Sequence, residues 1–183
     1  MKKIILTVFA ASSLLLYSTP SFALLNFSVG VPLSHTITGK MKGGEKIETD
    51  GVSGAFIQIG VPVLPGIGID SYKTKIKGKT QILATSMYDI FYQLPIPIVN
   101  LTLGLGMGST ELQCVGCTIY DKGSAFQWYT SVGIPFLPFF DVHLSLRRVS
   151  SKIKTNAASG GTPKGTEYDV GGTVAGIGIA FGF

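Results

Sequence analysis

Apolar and polar residues alternate along most of this chain with a period of two. Leu101, Leu103, Leu105 and Met107 alternate with threonine and glycine. Successive side chains of a β-strand point to opposite faces, so this segment predicts a strand with one apolar face and one small, polar face. The same alternation predicts further strands around residues 27–34, 55–61, 87–94, 126–134 and 141–147.

The connections between these segments belong to two classes that alternate along the chain. Three connections are short and rich in proline, and they occupy residues 61–66, 94–98 and 134–138. Four connections are polar, and they occupy residues 39–51, 73–80, 111–123 and 150–166. Three short turns and four polar loops join eight strands in an up-and-down order.

An even number of antiparallel strands, with short turns at one end and longer loops at the other, is typical of outer-membrane barrels. Closure gives every backbone group a partner in lipid and leaves no free sheet edge. The sequence therefore predicts an all-β fold, an eight-stranded antiparallel up-and-down transmembrane β-barrel. Aromatic residues near the predicted strand ends, among them Phe136, Phe140 and Trp128, are typical of the girdles of such barrels.

Composition weighs against other classes of protein. Only 14% of the residues are charged, and the mean hydropathy is +0.41. The apolar stretches are too short and too interrupted to form helical membrane spans. A secreted β-sandwich is the alternative all-β fold. Its second face would carry charges, whereas the second face here carries mostly glycine, serine, threonine and glutamine.

The first 23 residues have the features of a secretory signal peptide. Lys2 and Lys3 precede an apolar run from 4 to 17, and Ser21-Phe22-Ala23 forms a small-x-small cleavage site. The alternative is an N-terminal membrane anchor. We expect cleavage after Ala23, which leaves the barrel domain at 24–183 and lowers the formal charge from +5 to +3 because two lysines are removed.

The end of the chain resembles a known assembly signal. Apolar residues occupy every second position back from Phe183, including Phe181. This pattern is similar to the last-strand signal of Gram-negative outer-membrane proteins, and the mature chain resembles the small eight-stranded barrels of the OmpX and OmpA transmembrane-domain type. The resemblance implies a location in the bacterial outer membrane, contact with its lipid, and recognition by the barrel-assembly machinery.

Inward-facing positions carry most of the charged residues of the predicted strands. An eight-stranded barrel is just wide enough for side chains to fill it, and buried charges must pair. We therefore expect a polar network that plugs the lumen, with Gln58, Gln127 and Tyr129 beside it. Its charged members are Asp70, Asp89, Asp141, His143 and Arg147.

A row of lysines stands in the second polar loop. Lys73, Lys75, Lys77 and Lys79 occupy every second position, and Arg148 at the outer end of its strand extends the set. One hypothesis is a cationic surface that contacts the phosphates of lipopolysaccharide or other acidic polymers. The alternative is a solvated hairpin whose edge is kept charged.

The third polar loop holds the two cysteines, Cys114 and Cys117. In an exported protein, two nearby thiols predict a local disulfide. Free thiols and a metal site are the alternatives, and zinc would need two further ligands. We expect no metal and no cofactor.

One strand carries Asp141, His143 and Ser145 on the same face, and a lipid A deacylase-like enzyme is therefore one alternative. The predicted parity points these side chains into the lumen and not toward lipid, and no set of oxyanion donors accompanies them. We therefore expect no enzyme. The leading hypothesis is a monomeric outer-membrane barrel with a structural or surface-binding role through four outer loops. A narrow pore is the other alternative, and nucleic-acid binding is not expected.

Overall fold

A computed structural model describes residues 25–39, 46–61, 64–96, 99–114, 120–137, 139–156 and 163–182. These residues form ten strands: β1 Asn26–Ile37, β2 Thr49–Gly60, β3 Gly66–Ile76, β4 Ile82–Pro95, β5 Asn100–Gln113, β6 Tyr120–Asp121, β7 Gly123–Leu137, β8 Phe140–Thr155, β9 Glu167–Asp169 and β10 Gly172–Gly182. Within this part of the chain, no helix is long and apolar enough to cross a lipid bilayer.

Eight of these strands form a closed antiparallel barrel. Their order is β1-β2-β3-β4-β5-β7-β8-β10, and β10 pairs with both β8 and β1 to close the sheet. The prediction of an eight-stranded antiparallel barrel is confirmed. The short strands β6 and β9 were not predicted. They pair with the last residues of β8 and extend the sheet beyond the barrel at the end where the polar loops lie.

The second polar loop is shorter than the sequence predicts. The placement of Lys73 and Lys75 in a loop is wrong, because β3 continues to Ile76. Their inward neighbours Tyr72 and Thr74 are buried in the lumen. The packing of these inward side chains stabilises the strand although its outer face is charged. Only residues 77–81 connect β3 to β4.

A β-bulge interrupts β1 and changes which side chains enter the barrel. The pairing with β10 shifts between Pro32 and Ser34. Proline cannot donate to the sheet and is found at such irregularities. The bulge exposes Ser34, which alternation had placed inside, and it turns His35 into the lumen, where only 4% of that residue is exposed.

The barrel wall has two zones. Near the short turns, apolar side chains face outward, as Leu144 and Leu146 do on β8, while polar groups such as Arg147 face inward. Toward the loop end the arrangement reverses, so that Val149 faces inward and Lys152 outward. An apolar cluster fills the barrel there, composed of Ile37, Ile47, Ile76, Leu83, Ile153 and Val170. Outer-membrane barrels are apolar outside, whereas water-soluble folds are apolar inside.

Glycines on the inner face make room for large side chains opposite them. A Cβ atom added at Gly104 would overlap the Tyr129 ring, and one at Gly106 would overlap the Asp89 carboxylate. A Cβ at Gly178 would lie 2.5 Å from His143 Nε2. The small inward residues and their bulky partners are therefore complementary in volume.

Gly104→Ala tests this complementarity. We expect a loss of about 1–3 kcal/mol in the free energy of unfolding, because Tyr129 has to leave its position. The measurement is the midpoint of denaturant unfolding of the purified protein in detergent. Gly133→Ala is the matched control, because its Cβ would lie 3.2 Å from the carboxylate of Asp141, which can shift. Equal losses for the two variants would contradict the prediction.

Candidate functional site

An ion pair crosses the centre of the lumen between strands that are far apart in sequence. Arg147 on β8 donates from Nε to Asp70 Oδ2 on β3 at 2.7 Å, and from Nη2 to Oδ1 at 3.4 Å. The two side chains are only 3% and 0% exposed. The guanidinium carbon lies 3.6 Å from the ring centroid of Phe56 and 4.7 Å from that of Tyr129. Arg147 is thus held by charge and by two aromatic faces.

Gln127 joins a second carboxylate to this pair. Its Nε2 donates to Asp70 Oδ2 at 2.7 Å and to Asp89 Oδ1 at 2.6 Å. Gln58 Nε2 donates to the Tyr129 hydroxyl at 2.7 Å. The side chains joined by these contacts fill the cross-section of the barrel. We call them the central plug: Gln58, Asp70, Asp89, Gln127, Tyr129 and Arg147. The structure therefore brings together three of the five predicted lumen charges, namely Asp70, Asp89 and Arg147.

The other two predicted lumen charges lie near the short turns. Nε2 of His143 lies 3.3 Å from Ser28 Oγ, and Nδ1 of the same ring lies 3.7 Å from Asp141 Oδ1. Asn100 Nδ2 donates to Asp141 Oδ2 at 2.6 Å. These residues line a polar cavity of about 20 Å³, which is room for a single water molecule. The predicted lumen network is consequently two networks at different depths.

The contacts of Ser145 bear on the enzyme alternative. Ser145 Oγ accepts a hydrogen bond from Arg147 Nη1, while His143 contacts Ser28. Among the described contacts, none joins His143 to Ser145. The three residues share a strand without forming the nucleophile–base pair that hydrolysis by a serine requires.

Above the central plug the lumen becomes progressively apolar. His35 Nδ1 lies 2.8 Å from Thr74 Oγ1, and the ring of His35 packs edge-on against Tyr72 at a centroid distance of 5.8 Å. Phe56, Met87 and Val174 pack in the same layer, below the apolar cluster of the loop end. Sequence reasoning missed His35, because strict alternation places it outside and only the bulge at Pro32 could have revealed it.

The predicted cationic surface is divided between opposite walls. Lys73 and Lys75 point outward from β3, whereas Arg148 points outward from β8, which is four strands away in the closed sheet. The placement of Arg148 with the lysines is therefore wrong. Arg148 lies opposite Trp128 on β7 and donates from Nη1 to Thr173 Oγ1 at 3.0 Å.

The remaining lysines of the row are in the turn. Lys77 Nζ donates to Glu48 Oε2 at 2.7 Å. This contact lowers the pKa of the Glu48 carboxyl through its hydrogen bond and charge, and it raises the pKa of Lys77 in return. The backbone N–H of Lys79 donates to the carbonyl of Ile76 at 3.2 Å. Lys77 thus ties this turn to the segment that precedes β2.

Two lysines that sequence reasoning did not single out anchor the last outer loop. Lys152 and Lys154 on β8 lie 3.5 and 2.9 Å from the two carboxylate oxygens of Glu167 on β9. The hydrogen bond and charge of Lys154, together with Lys152, lower the pKa of Glu167. The alternation of Lys152 and Lys154 with Ile153 is the sequence feature that could have predicted their place on a strand, because it continues the pattern of β8.

The cysteines and the terminal aromatics are only partly described. Cys114 follows β5 and is not a free thiol, while Cys117 lies outside the described residues, so that a disulfide between them stays a prediction. Phe181 on β10 packs against Phe140 at a centroid distance of 5.3 Å, and Phe183 lies outside the described residues. The proposed leader at 1–23 also lies outside them. Nowhere in the described ranges do three metal-binding side chains come together.

The closed eight-stranded wall and its filled lumen define a small barrel of the outer-membrane type. No protein-family model and no curated protein sequence matches this chain. Among solved structures, it is similar to the outer membrane protein OprG from Pseudomonas aeruginosa, with a TM-score of 0.51 and 12% identity over 88% of this chain and 96% of that one. It is also similar to Neisserial surface protein A (NspA), with a TM-score of 0.57 and 11% identity over 87% and 96%. The chain has the fold of these small outer-membrane barrels.

Arg147→Met tests whether the central plug depends on its cation. This change leaves the Asp70 and Asp89 carboxylates buried without the guanidinium, so we expect a loss of about 3–5 kcal/mol in the free energy of unfolding. The double variant Arg147→Met/Asp70→Leu should recover most of it, because an apolar pair replaces an ion pair of similar volume. Arg148→Met, one residue further and exposed, is the control and should change stability by less than about 0.5 kcal/mol. Denaturant unfolding in detergent measures all three, and equal effects at 147 and 148 would refute the assignment.

Proposed function

We propose that this protein is an integral outer-membrane β-barrel with a plugged lumen, which acts structurally or by binding at the cell surface. The observation that carries the proposal is that the apolar and polar faces of the strands exchange sides along the barrel. Apolar side chains face outward and paired polar groups inward near the short turns, as lipid requires, while the opposite holds at the loop end. The likeness to OprG and NspA supports the same conclusion.

The proposal fixes an orientation. Short turns of bacterial outer-membrane barrels lie on the periplasmic side and longer loops on the outside. Phe140 packs against both Phe136, at a centroid distance of 6.5 Å, and Phe181, and together they form an aromatic cluster near the short turns. Tyr88 and Trp128 are exposed nearer the loop end. In this proposal the chain is exported through its leader, residues 1–23, and Phe181 and Phe183 belong to the signal read by the barrel-assembly machinery.

The central plug favours a surface role over transport. Arg147, Gln127 and Tyr129 are almost fully buried and contact groups on other strands across the lumen. An ion that crosses the barrel would have to displace a hydrogen-bonded ion pair and then pass the apolar cluster beneath the loops. Specific binding by a monomer of this kind belongs to the loop end, where a disulfide between Cys114 and Cys117 would restrain the third loop.

The first test is the electrophoretic mobility of the folded and the heated protein. The protein purified in detergent should migrate differently on a denaturing gel before and after boiling, because closed barrels resist the detergent until heated. Solubility without detergent and no mobility shift would overturn the membrane assignment and favour a secreted β-sandwich.

Conductance then separates a plugged barrel from a narrow pore. In planar bilayers we expect no ion current above the background of protein-free membranes. A wild-type current that changes in Arg147→Ala or Asp89→Ala would favour the pore. Esterase activity toward lipid A that is lost in His143→Ala, with the mobility shift intact, would favour the enzyme.

Lipopolysaccharide is the proposed surface partner, because its phosphates match the cations just above the apolar wall. A lysine near an anionic membrane surface contributes about 1 kcal/mol. Two lysines together contribute about 2 kcal/mol, so we expect Lys73→Ser/Lys75→Ser to raise the concentration of purified lipopolysaccharide that half-saturates binding by about thirtyfold. The control is Lys152→Ser/Lys154→Ser, whose charges already face Glu167. Equal weakening by both pairs would indicate general charge attraction and contradict a specific contact.

A further inference from the structure

The three short turns form an apolar surface at one end of the barrel. Six of the nine prolines of the chain lie in them, two in each turn, and none of the three carries a charged residue. Their described apolar side chains are exposed, with 57% of Leu64, 41% of Ile96 and 57% of Phe139 accessible. We call the exposed residues of the turns, together with the last two residues of β7, the inner collar: Val61, Leu64, Ile96, Phe136, Leu137 and Phe139.

Turns that project into water are ordinarily polar, so an exposed apolar collar requires a partner. The collar is continuous with the outward apolar wall, because Val61 follows Ile59 on β2 and Phe136 follows Ile134 on β7. Because no polar residue separates the collar from the outward wall, the two surfaces suit the same partner, which in the proposed function is lipid.

The height of the wall supports this identification. On β5 the outward apolar residues run from Leu101 to Met107, and seven residues of a strand tilted by about 40° cover ~18 Å. On β3 the stretch is shorter still, since Ser71 follows Ile67 and Ile69. The apolar band of outer-membrane barrels is about 25 Å tall. On β5 the strand alone therefore falls short of the band by about 7 Å, which three residues of a turn would supply. On β7 the outward apolar residues run from Phe126 to Phe136, apart from Thr130, and reach the height of the band only because they include Phe136 of the collar.

The backbone of the turns suits a medium that is poor in water. Each unpaired N–H group is costly in lipid, and proline has none. Pro65, Pro95 and Pro135 remove such donors within the described part of the turns. Two of the N–H groups that remain find partners inside the turns, from Leu64 to the Val61 carbonyl and from Ile96 to the Leu94 carbonyl, both at 3.0 Å.

We propose that the inner collar is immersed in the inner leaflet of the outer membrane and completes the hydrophobic band of the barrel, with phospholipid acyl chains as its partner. This inference rests on the proposed membrane function. It places the short-turn end within the leaflet that faces the periplasm, and it leaves the loop end, with its apolar interior and lysine-bearing outer face, outside the hydrophobic band at the opposite surface.

Fluorescence quenching by lipid tests the proposal. Trp128 is the only tryptophan, so Trp128→Phe provides a silent background. Single tryptophans are introduced by Leu64→Trp and Phe139→Trp in the collar, by Leu103→Trp in the middle of the wall and by Lys122→Trp at the loop end. Each variant of the whole protein is reconstituted in phosphatidylcholine vesicles whose acyl chains carry bromine, and its emission is compared with that in unbrominated vesicles.

We expect the collar tryptophans to be quenched at least half as strongly as Leu103→Trp, and Lys122→Trp to be unaffected. Quenching of Leu103→Trp with none of Leu64→Trp and Phe139→Trp would overturn the immersed collar and indicate a periplasmic partner or a second copy of the chain. An unquenched Leu103→Trp would instead refute the membrane barrel itself. Every variant has to show the heat-dependent mobility shift, and Ile96→Trp in the remaining turn replaces any collar variant that does not fold.

Discussion

A barrel of eight strands encloses a lumen only as wide as the side chains that fill it, so each charge that points inward must find its partner there. This constraint accounts for the position of Arg147. Its guanidinium reaches Asp70, which is 77 residues away in sequence, and lies against Phe56 and Tyr129. Gln127 then bridges Asp70 to Asp89. Inward glycines follow from the same constraint, because a filled cross-section leaves no room for a Cβ opposite Tyr129 or Asp89.

A second constraint comes from the change of surroundings along each strand. The outward face of β8 changes from leucine to charged residues at Arg148, and its inward face changes from Arg147 to Val149. The adjacent pair Arg147 and Arg148 marks this boundary, with one guanidinium in the lumen and the other on the outer wall. A single strand thus satisfies lipid over one part and water over the other, and its pairing with β7 and β10 is regular across the boundary.

Alternation in the sequence, together with the two classes of connection, was sufficient to predict the eight strands of the barrel, the closed antiparallel fold and the inward parity of Asp70, Asp89 and Arg147. It could not predict which inward groups meet, because a period of two indicates the face of a side chain and not its height in the barrel. Height depends on strand pairing and on the stagger of the closed sheet. For this reason one predicted network is two, with Asp141 and His143 at a different depth from the central plug.

The errors have equally specific causes. The run of lysines on β3 predicts a loop because charged residues are typical of irregular surface segments, although their alternation with Tyr72 and Thr74 is that of a strand. Arg148 was grouped with them because sequence alone does not reveal that β3 and β8 lie on opposite walls. His35 was missed because one extra residue at the Pro32 bulge reverses the parity beyond it.

The unbroken course of β8 from the aromatic cluster at Phe140 to the outer rim has a mechanical consequence. Lys154 at the rim and Arg147 in the lumen belong to one continuous hydrogen-bonded ribbon, and β9 is fastened to its upper end through Glu167. A load applied to the last outer loop is therefore transmitted along a stiff strand to the Arg147–Asp70 ion pair of the central plug. The surface and the interior of this protein are coupled by the same covalent chain over a distance of about 23 Å.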